Sequence, residues 1–225
     1  MKKSVESNNR IAEHLEAPKA ERLVVSPPNF KRASFNIIGE APLVVHAFSM
    51  KARNIIKETQ EAGSVAKKGR KRDPKDFQGN YEASRHRSPE GWDGFPASAF
   101  RNAMISACRM AGFQMTRAKL SVFVEPDGFE IDGTPLVKII KGDPQYHEGY
   151  VRNETGVVDL RARAMFQVGW EMIVRVRYDA DQFSVTDVAN LLLRAGQQVG
   201  IGEGRPDSKK SAGCGWGLFT IKEGE

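Results

Sequence analysis

Three groups of residues in this chain have types and spacings suited to chemistry, and the glycines near its C-terminal end are the first. Gly200-Ile201-Gly202-Glu203-Gly204-Arg205-Pro206 is followed by a polar run and then by Gly213-Cys214-Gly215-Trp216-Gly217-Leu218-Phe219. Six of the 21 glycines fall within residues 200–217. A residue without Cβ is needed mainly where backbone turns with positive φ or lies against another backbone. The segment therefore reads either as a hairpin that turns the chain or as a surface on which something broad and flat settles. Arg205, Lys209 and Lys210 stand among the glycines, which favours an anion, and the N–H groups of a glycine loop add to anion binding.

The second group is a run of cations. Residues 51–88 hold eleven Lys and Arg (Lys51, Arg53, Lys57, Lys67, Lys68, Arg70, Lys71, Arg72, Lys75, Arg85, Arg87) against five acids (Glu58, Glu61, Asp73, Asp76, Glu82), a surplus equal to the whole formal charge of +6. Lys67-Lys68-Gly69-Arg70-Lys71-Arg72 is its centre, and Gly63, Gly69 and Pro74 around it predict a loop. A polyanion is the natural partner, because each phosphate neutralised by Lys or Arg releases condensed counterions. The competing reading is a solvated loop that serves solubility.

The third group is the four histidines. His14 falls in a polar arm, His147 in an expected loop, and His86 between Arg85 and Arg87 as part of the basic patch. His46, near the end of an apolar run, is the candidate for general acid/base work, with Lys51 or Arg53 to stabilise charge. Asp73 and Asp76 are the acids that a metal-assisted cut would need. No metal site or cofactor motif is expected. Cys108 and Cys214 lack metal-ligand spacing, and Cys108 reads as a small core residue on a helix. Gly200-x-Gly202-x-Gly204 is not followed by a helix as a dinucleotide fingerprint would be, and no Walker lysine, nucleophile elbow or H-E-x-x-H pair occurs.

Elements must position these groups. Residues 1–30 read as an N-terminal arm with a short helical pattern, and 31–225 as one domain. Ala33 to Phe48 predicts a long bulged strand or two shorter ones, and Met50 to Gln60 has helical character. Phe95-Pro96-Ala97-Ser98 opens a helix with Ser98 as candidate cap, carries an apolar stripe through Phe100, Met104 and Cys108, and stops at Gly112. Leu120–Val124, Phe129–Ile131 and Leu136–Ile140 predict strands around the turn Pro126-Asp127-Gly128. Lys141 to Glu154 reads as an exposed loop, Val157–Phe166 and Trp170–Tyr178 as strands. The second of these alternates Val174 and Val176 with Arg175 and Arg177, giving one buried and one basic face. Ser184-x-x-Asp187 is a capping-box pattern before Val188, Leu191 and Leu192, with Gly196 as the stop, and a last strand runs from Trp216 to Ile221. The order left after removing insertions at about 50–94 and 126–166 is β-α-β-β-α-β. That is an α+β, ferredoxin-like or RRM-like core with an antiparallel sheet and two large insertions, whose open face serves RNA in recognition modules.

The helix start Phe95-Pro96-Ala97-Ser98-Ala99-Phe100-Arg101-Asn102-Ala103-Met104 resembles the P-G-S-S-L-K-G-A-L segment of the RAMP superfamily of CRISPR-associated proteins. Gly200 to Phe219 resembles that superfamily's glycine-rich loop, and the likeness covers roughly residues 33–222. The chain departs from the family pattern at Ala97, Asn102 and Ile105. The resemblance implies a guide-RNA-binding backbone subunit of an effector ribonucleoprotein, partnered by guide RNA, complementary target DNA or RNA, copies of itself and other subunits. It implies that Ser98 and Arg101 lie near the RNA phosphates, that Gly200, Gly202, Gly204, Gly213 and Gly215 lie against the RNA backbone, and that the basic insertion grips a strand. Two alternatives stand beside it: a RAMP-type endonuclease using His46, and a viral or plasmid subunit mimic acting by protein contact. No apolar run approaches the roughly 20 residues that span a bilayer, and no signal-peptide core follows Met1-Lys2-Lys3, so a cytoplasmic protein without membrane contact is expected.

Overall fold

A computed structural model describes residues 25–47, 75–152, 158–208 and 214–222. The pattern over Ala33–Phe48 resolves into two strands, β1 (Phe30–Gly39) and β2 (Leu43–Val45), which enter different sheets. Their separation is fixed by Trp170, far along the chain. The Trp170 indole lies 2.1 Å from where a Cβ on Gly39 would stand, and its Nε1 donates to the Ala41 carbonyl at 2.9 Å. Only glycine lets the ring close over the strand end, and the chain turns there.

The helices follow: α1 (Phe77–Ser84) after the undescribed segment, α2 (Ala97–Ala111), α3 (Met115–Ser121) and α4 (Val185–Arg194). The remaining strands are β3 (His86–Arg87), β4 (Asp93–Pro96), β5 (Val122–Glu125), β6 (Gly128–Phe129), β7 (Pro135–Lys141), β8 (Pro144–Arg152), β9 (Val158–Phe166), β10 (Glu171–Asp179) and β11 (Phe219–Ile221). The core pairs β11 with β1, β1 with β10 and β10 with β5, all antiparallel. With α2 and α4 as its helices, this is a β-α-β-β-α-β core in which the fourth strand lies beside the first, as the ferredoxin-like arrangement requires. The other half of β10 pairs with β7, which extends the sheet to β4 and β3. A second sheet runs β2-β9-β8.

Side-chain periodicity explains the packing. Phe35 and Ile37 of β1 and Val174 and Val176 of β10 point to the helices, where Phe100, Met104, Cys108 and Leu192 are fully buried. Burial of that kind contributes about 1.5–3 kcal/mol per large side chain. Cys108 is a core residue as expected, its Sγ donating to the Met104 carbonyl at 3.4 Å. The capping box forms: Ser184 Oγ accepts from the Asp187 N–H at 3.1 Å, and the Asp187 carboxylate accepts from the Ser184 N–H at 2.9 Å.

Four expectations need correcting. Pro96, not Ser98, occupies the N-cap of α2, and no side chain caps that helix. Gly196 does not stop α4; the chain continues as a π turn (Ala195–Val199) and leaves it at Gly200, which has φ of 71°. Residues 144–152, read as a loop, form β8, which pairs with β9 along its whole length. A polar strand with glycine and proline carries weak periodicity, and its partner supplies the order. Finally, α3 precedes β5 where strand alone was expected. The helical pattern at Met50–Gln60 and the N-terminal pattern lie outside the described residues, and of the arm only residues 25–30 are described.

Candidate functional site

Within α2, Ser98, Asn102 and Ser106 recur every fourth residue and form a stripe of small polar side chains along one face. The stripe faces the chain between Val199 and Ser208, and a cleft of about 700 Å³ lies between them. His46, His86 and Arg161 complete its wall with Glu203, Arg205 and Asp207.

The start of α2 is the positive end of a 15-residue helix. Pro96 offers no capping side chain and the first turn has no acid, so the helix dipole there is not neutralised by its own sequence. Pro96, Ser98 and Ala99 all line the cleft. Anions bind such ends through free N–H groups and the dipole together.

The glycines serve two purposes at once. Gly202 and Gly204 have φ of 81° and 78°, a region that L side chains rarely adopt. A Cβ on Gly202 would come 2.6 Å from the Val44 carbonyl oxygen, and one on Gly204 2.5 Å from the Trp216 ring. Missing Cβ atoms therefore let the loop lie against β2 and Trp216, while its opposite side forms the cleft wall. The Ile201 and Glu203 N–H groups donate inward, to the Gly217 carbonyl at 3.0 Å and the Val44 carbonyl at 3.0 Å. Those of Gly202, Gly204 and Arg205 have no partner among the described residues.

The wall is not uniformly basic. Its carboxylates are each held by an arginine: Glu203 by Arg163 Nε at 3.0 Å, and Asp207 by Arg109 Nη2 at 2.7 Å. Arg109 holds the Asp207 carboxyl below the usual carboxylate range. With those acids paired, Arg161 and Arg205 are the arginines of the wall. Arg161 lies 3.5 Å from Asp159, and Arg205 Nη1 donates to the Gly202 carbonyl at 3.0 Å.

His46, one residue beyond β2, accepts at Nε2 from Arg163 Nη2 at 3.2 Å, and its Nδ1 stands 3.7 Å from Glu203. Both ring nitrogens face protein groups, an arrangement that favours the neutral ring. Burial, then the Arg163 charge, lower its pKa from the ordinary histidine value, against the opposing pull of Glu203. Solvent screens part of this, since 46% of the side chain is exposed. A base with a lowered folded-state pKa contributes stability that is present above the unfolded value, about 6.5, and is lost as pH falls through the folded value. The melting temperature is therefore expected to drop between pH 7 and pH 5, and His46→Gln to shrink that drop. Equal drops in the two proteins would count against this assignment.

Other sequence-predicted positions scatter. Arg101 does not line the cleft. Its Nε donates to the Val122 carbonyl at 2.9 Å, Nη2 donates to the Lys119 carbonyl, and the guanidinium lies 5.2 Å from the Phe123 ring, fastening α2 to α3 and β5. Gly215, with φ of 71°, has open space where a Cβ would be. Lys51, Arg53, Lys67, Lys68, Arg70, Lys71, Arg72, Lys209, Lys210 and Gly213, together with Asp73 and His14, lie outside the described residues. His86, expected in an exposed basic patch, is instead 9% exposed, with Nδ1 against the Glu130 carboxylate. Sequence reading missed Asn102, Ser106, Arg161, Arg163, Glu203 and Glu130. The four-residue polar spacing on α2 and the alternation of Arg161 and Arg163 with alanines on β9 were available signals. The pairing of His86 with Glu130 had none.

No family model matches the sequence, and no curated protein matches it. The structure is similar to a chain from the cryo-EM structure of the Type III-B Cmr-beta bound to cognate target RNA, with a TM-score of 0.49 and 8% sequence identity. The match covers 97% of this chain and 63% of that one. No described helix is long and apolar enough to cross a membrane.

Proposed function

We propose that this chain binds single-stranded RNA in the cleft between α2 and the glycine loop, as a guide-RNA-coating subunit of a CRISPR-type ribonucleoprotein. One observation carries the binding reading: an uncapped helix start, a glycine loop with N–H groups unpaired among the described residues, and Arg161 of β9 meet on one cleft. Each of these favours an anion, and their spread along the cleft suits a chain of phosphates better than a single ion. The cationic segment at residues 67–72 adds sequence-independent grip. The ribonucleoprotein setting comes from the RAMP resemblance of the helix start and the glycine segment.

The full chain should co-purify with nucleic acid that RNase removes and DNase does not, and sequencing should return short RNA of fairly uniform length. A nucleic-acid-free monomer that binds only another protein would overturn the reading in favour of a subunit mimic, and heterogeneous host fragments would reduce it to non-specific binding. Ser98→Asp places a carboxylate at the positive helix end and is expected to weaken binding of a single-stranded RNA by about tenfold, read by fluorescence anisotropy.

A further inference from the structure

Leu136 is fully buried although it lies on the face of the main sheet turned away from the helices. Its neighbour Val137 pairs with Phe95 and joins the core beneath α2, so alternation along β7 turns Leu136 and Lys138 outward. The Trp92 indole is what lies there. Gly94 stands opposite Lys138 on one side of β7 and Gly128 opposite Leu136 on the other, and a Cβ on them would come 3.0 Å and 2.7 Å from ring atoms. The indole therefore bridges the strand in space that two glycines leave. Its Nε1 donates to Glu90 Oε2 at 2.9 Å, and Lys138 Nζ stands 5.7 Å from the ring centroid.

A cation against aromatic rings recurs at the other end of this face. Arg177 alternates along β10 with the buried Val176 and Tyr178, and its guanidinium lies 4.9 Å from the Phe30 and Phe123 rings alike. Between the two ends the acids are taken: Glu125 by Arg32 at 2.7 Å, and Asp127 by Arg175. Asp179, at the end of β10, accepts from the Asp181 N–H at 3.1 Å. Arg177 and Lys138 have no ion-pair partner among the described residues. Arg177 Nε is sealed without a hydrogen bond, which native structures seldom accept, while its Nη groups reach solvent.

We propose that this open sheet face is a second binding surface, on which a single strand of nucleic acid stacks bases against Trp92 and Phe30 and sets phosphates on Lys138 and Arg177. The pairing of rings with cations that no acid neutralises selects the occupant. A single strand offers a ring face with each base and a charge with each phosphate, so it uses both. An acidic protein segment would use the cations and leave the rings idle, and an apolar partner would bury two unpaired charges. Phe30 is 39% exposed, which leaves ring surface for a base. The cleft is built on α2, whose core side packs on the opposite face of this sheet, so the surface does not depend on the cleft being the RNA site.

The test is binding of the full chain to a fluorescent oligouridylate of about 12 nucleotides, read by anisotropy, with ultraviolet cross-linking and mass mapping of the linked peptides. Cross-links are expected at Trp92 and Phe30. Lys138→Gln combined with Arg177→Gln should weaken binding about tenfold and lower the slope of log affinity against log salt by about 1.4, or about 0.7 for each phosphate. Trp92→Ala should cost about tenfold, and should make no difference to an abasic strand of the same length. Because that change uncovers Leu136, Trp92→Phe is the second variant: it keeps a ring and should keep most of the affinity. Melting temperatures confirm that each variant is folded. Unchanged affinity and slope in the double variant, with cross-links confined to the cleft, overturn this inference and leave the cleft reading in place. Cross-links on the sheet face in a chain indifferent to Ser98→Asp support it and count against the cleft. Loss of a protein partner in the double variant, with strand binding intact, makes the face a protein interface and overturns the inference. No binding of any strand overturns both.

Discussion

Replacing Lys67, Lys68, Arg70, Lys71 and Arg72 together by glutamine is expected to reduce affinity for single-stranded RNA about a thousandfold at 0.1 M salt. Each phosphate neutralised on a single strand adds about 0.7 to the slope of log affinity against log salt, so five contacts amount to about 3.5. The variant's slope should therefore be shallower by that amount, and the two affinities should converge as salt approaches 1 M. Titration of the dissociation constant between 50 mM and 500 mM salt measures both quantities. Parallel slopes would remove this segment from the binding surface, whatever happened to the absolute affinity.

Gly217→Ala is expected to destabilise the fold by about 3 kcal/mol or more, the size of effect that a backbone clash combined with an unfavourable φ produces. Gly217 has φ of 68°, and a Cβ there would stand 1.7 Å from the Ile201 carbonyl oxygen. Neither side can yield cheaply. The Ile201 N–H donates to the Gly217 carbonyl at 3.0 Å, and the Gly217 N–H to the Pro42 carbonyl at 2.7 Å, so three segments move if one does. Gly215→Ala is the internal control: its φ of 71° is similar, but nothing lies within 4 Å of the Cβ position. It should lose only the left-handed penalty, about 1 kcal/mol. In a chain of this length each kcal/mol lowers the melting temperature by about 2–4 °C, so the two variants should be readily distinguished by calorimetry. Equal effects would mean that these glycines are kept for backbone conformation alone, and that close packing of the loop on β2 and its neighbours does not position the cleft.

The glycine comparison shows how the two readings of the C-terminal segment are reconciled. A structural hairpin and a ligand surface stood as alternatives on sequence grounds. In the structure one side of the loop packs and the other is exposed, so the glycines answer both descriptions. Their number is required by packing and positive φ, and the cleft is formed by what packing leaves outward.

Much of the fold was legible because local signals and global role agreed. The alternation Val174, Arg175, Val176, Arg177 marks a strand with one buried face, and β10 is the central strand of the core. Ser184 and Asp187 announce a helix start through chemistry confined to four residues, and the capping box forms. Gly112 ends α2 with φ of 67°. Where the signal needed a distant partner, reading failed. β8 is a strand because β9 lies beside it. The break between β1 and β2 depends on Trp170, 131 positions beyond Gly39 in the chain, closing over a glycine.

The candidate site divides in the same way. Ser98, the glycines and Arg205 could be named in advance, since helix starts and glycine loops bind anions through their own backbone. Arg161 on β9, and Glu130 behind His86, joined them only through folding.

The amino-acid sequence by itself determined the order of the core elements, the apolar faces, the concentration of positive charge and the two backbone motifs, because each depends on residues within one or two turns of one another. Which of the four histidines meet carboxylates, which arginines neutralise Glu203 and Asp207, and which surfaces enclose a cleft were decided by tertiary structure alone. Those outcomes depend on distances between residues far apart in the chain, and such distances exist only once the sheets have closed on their helices.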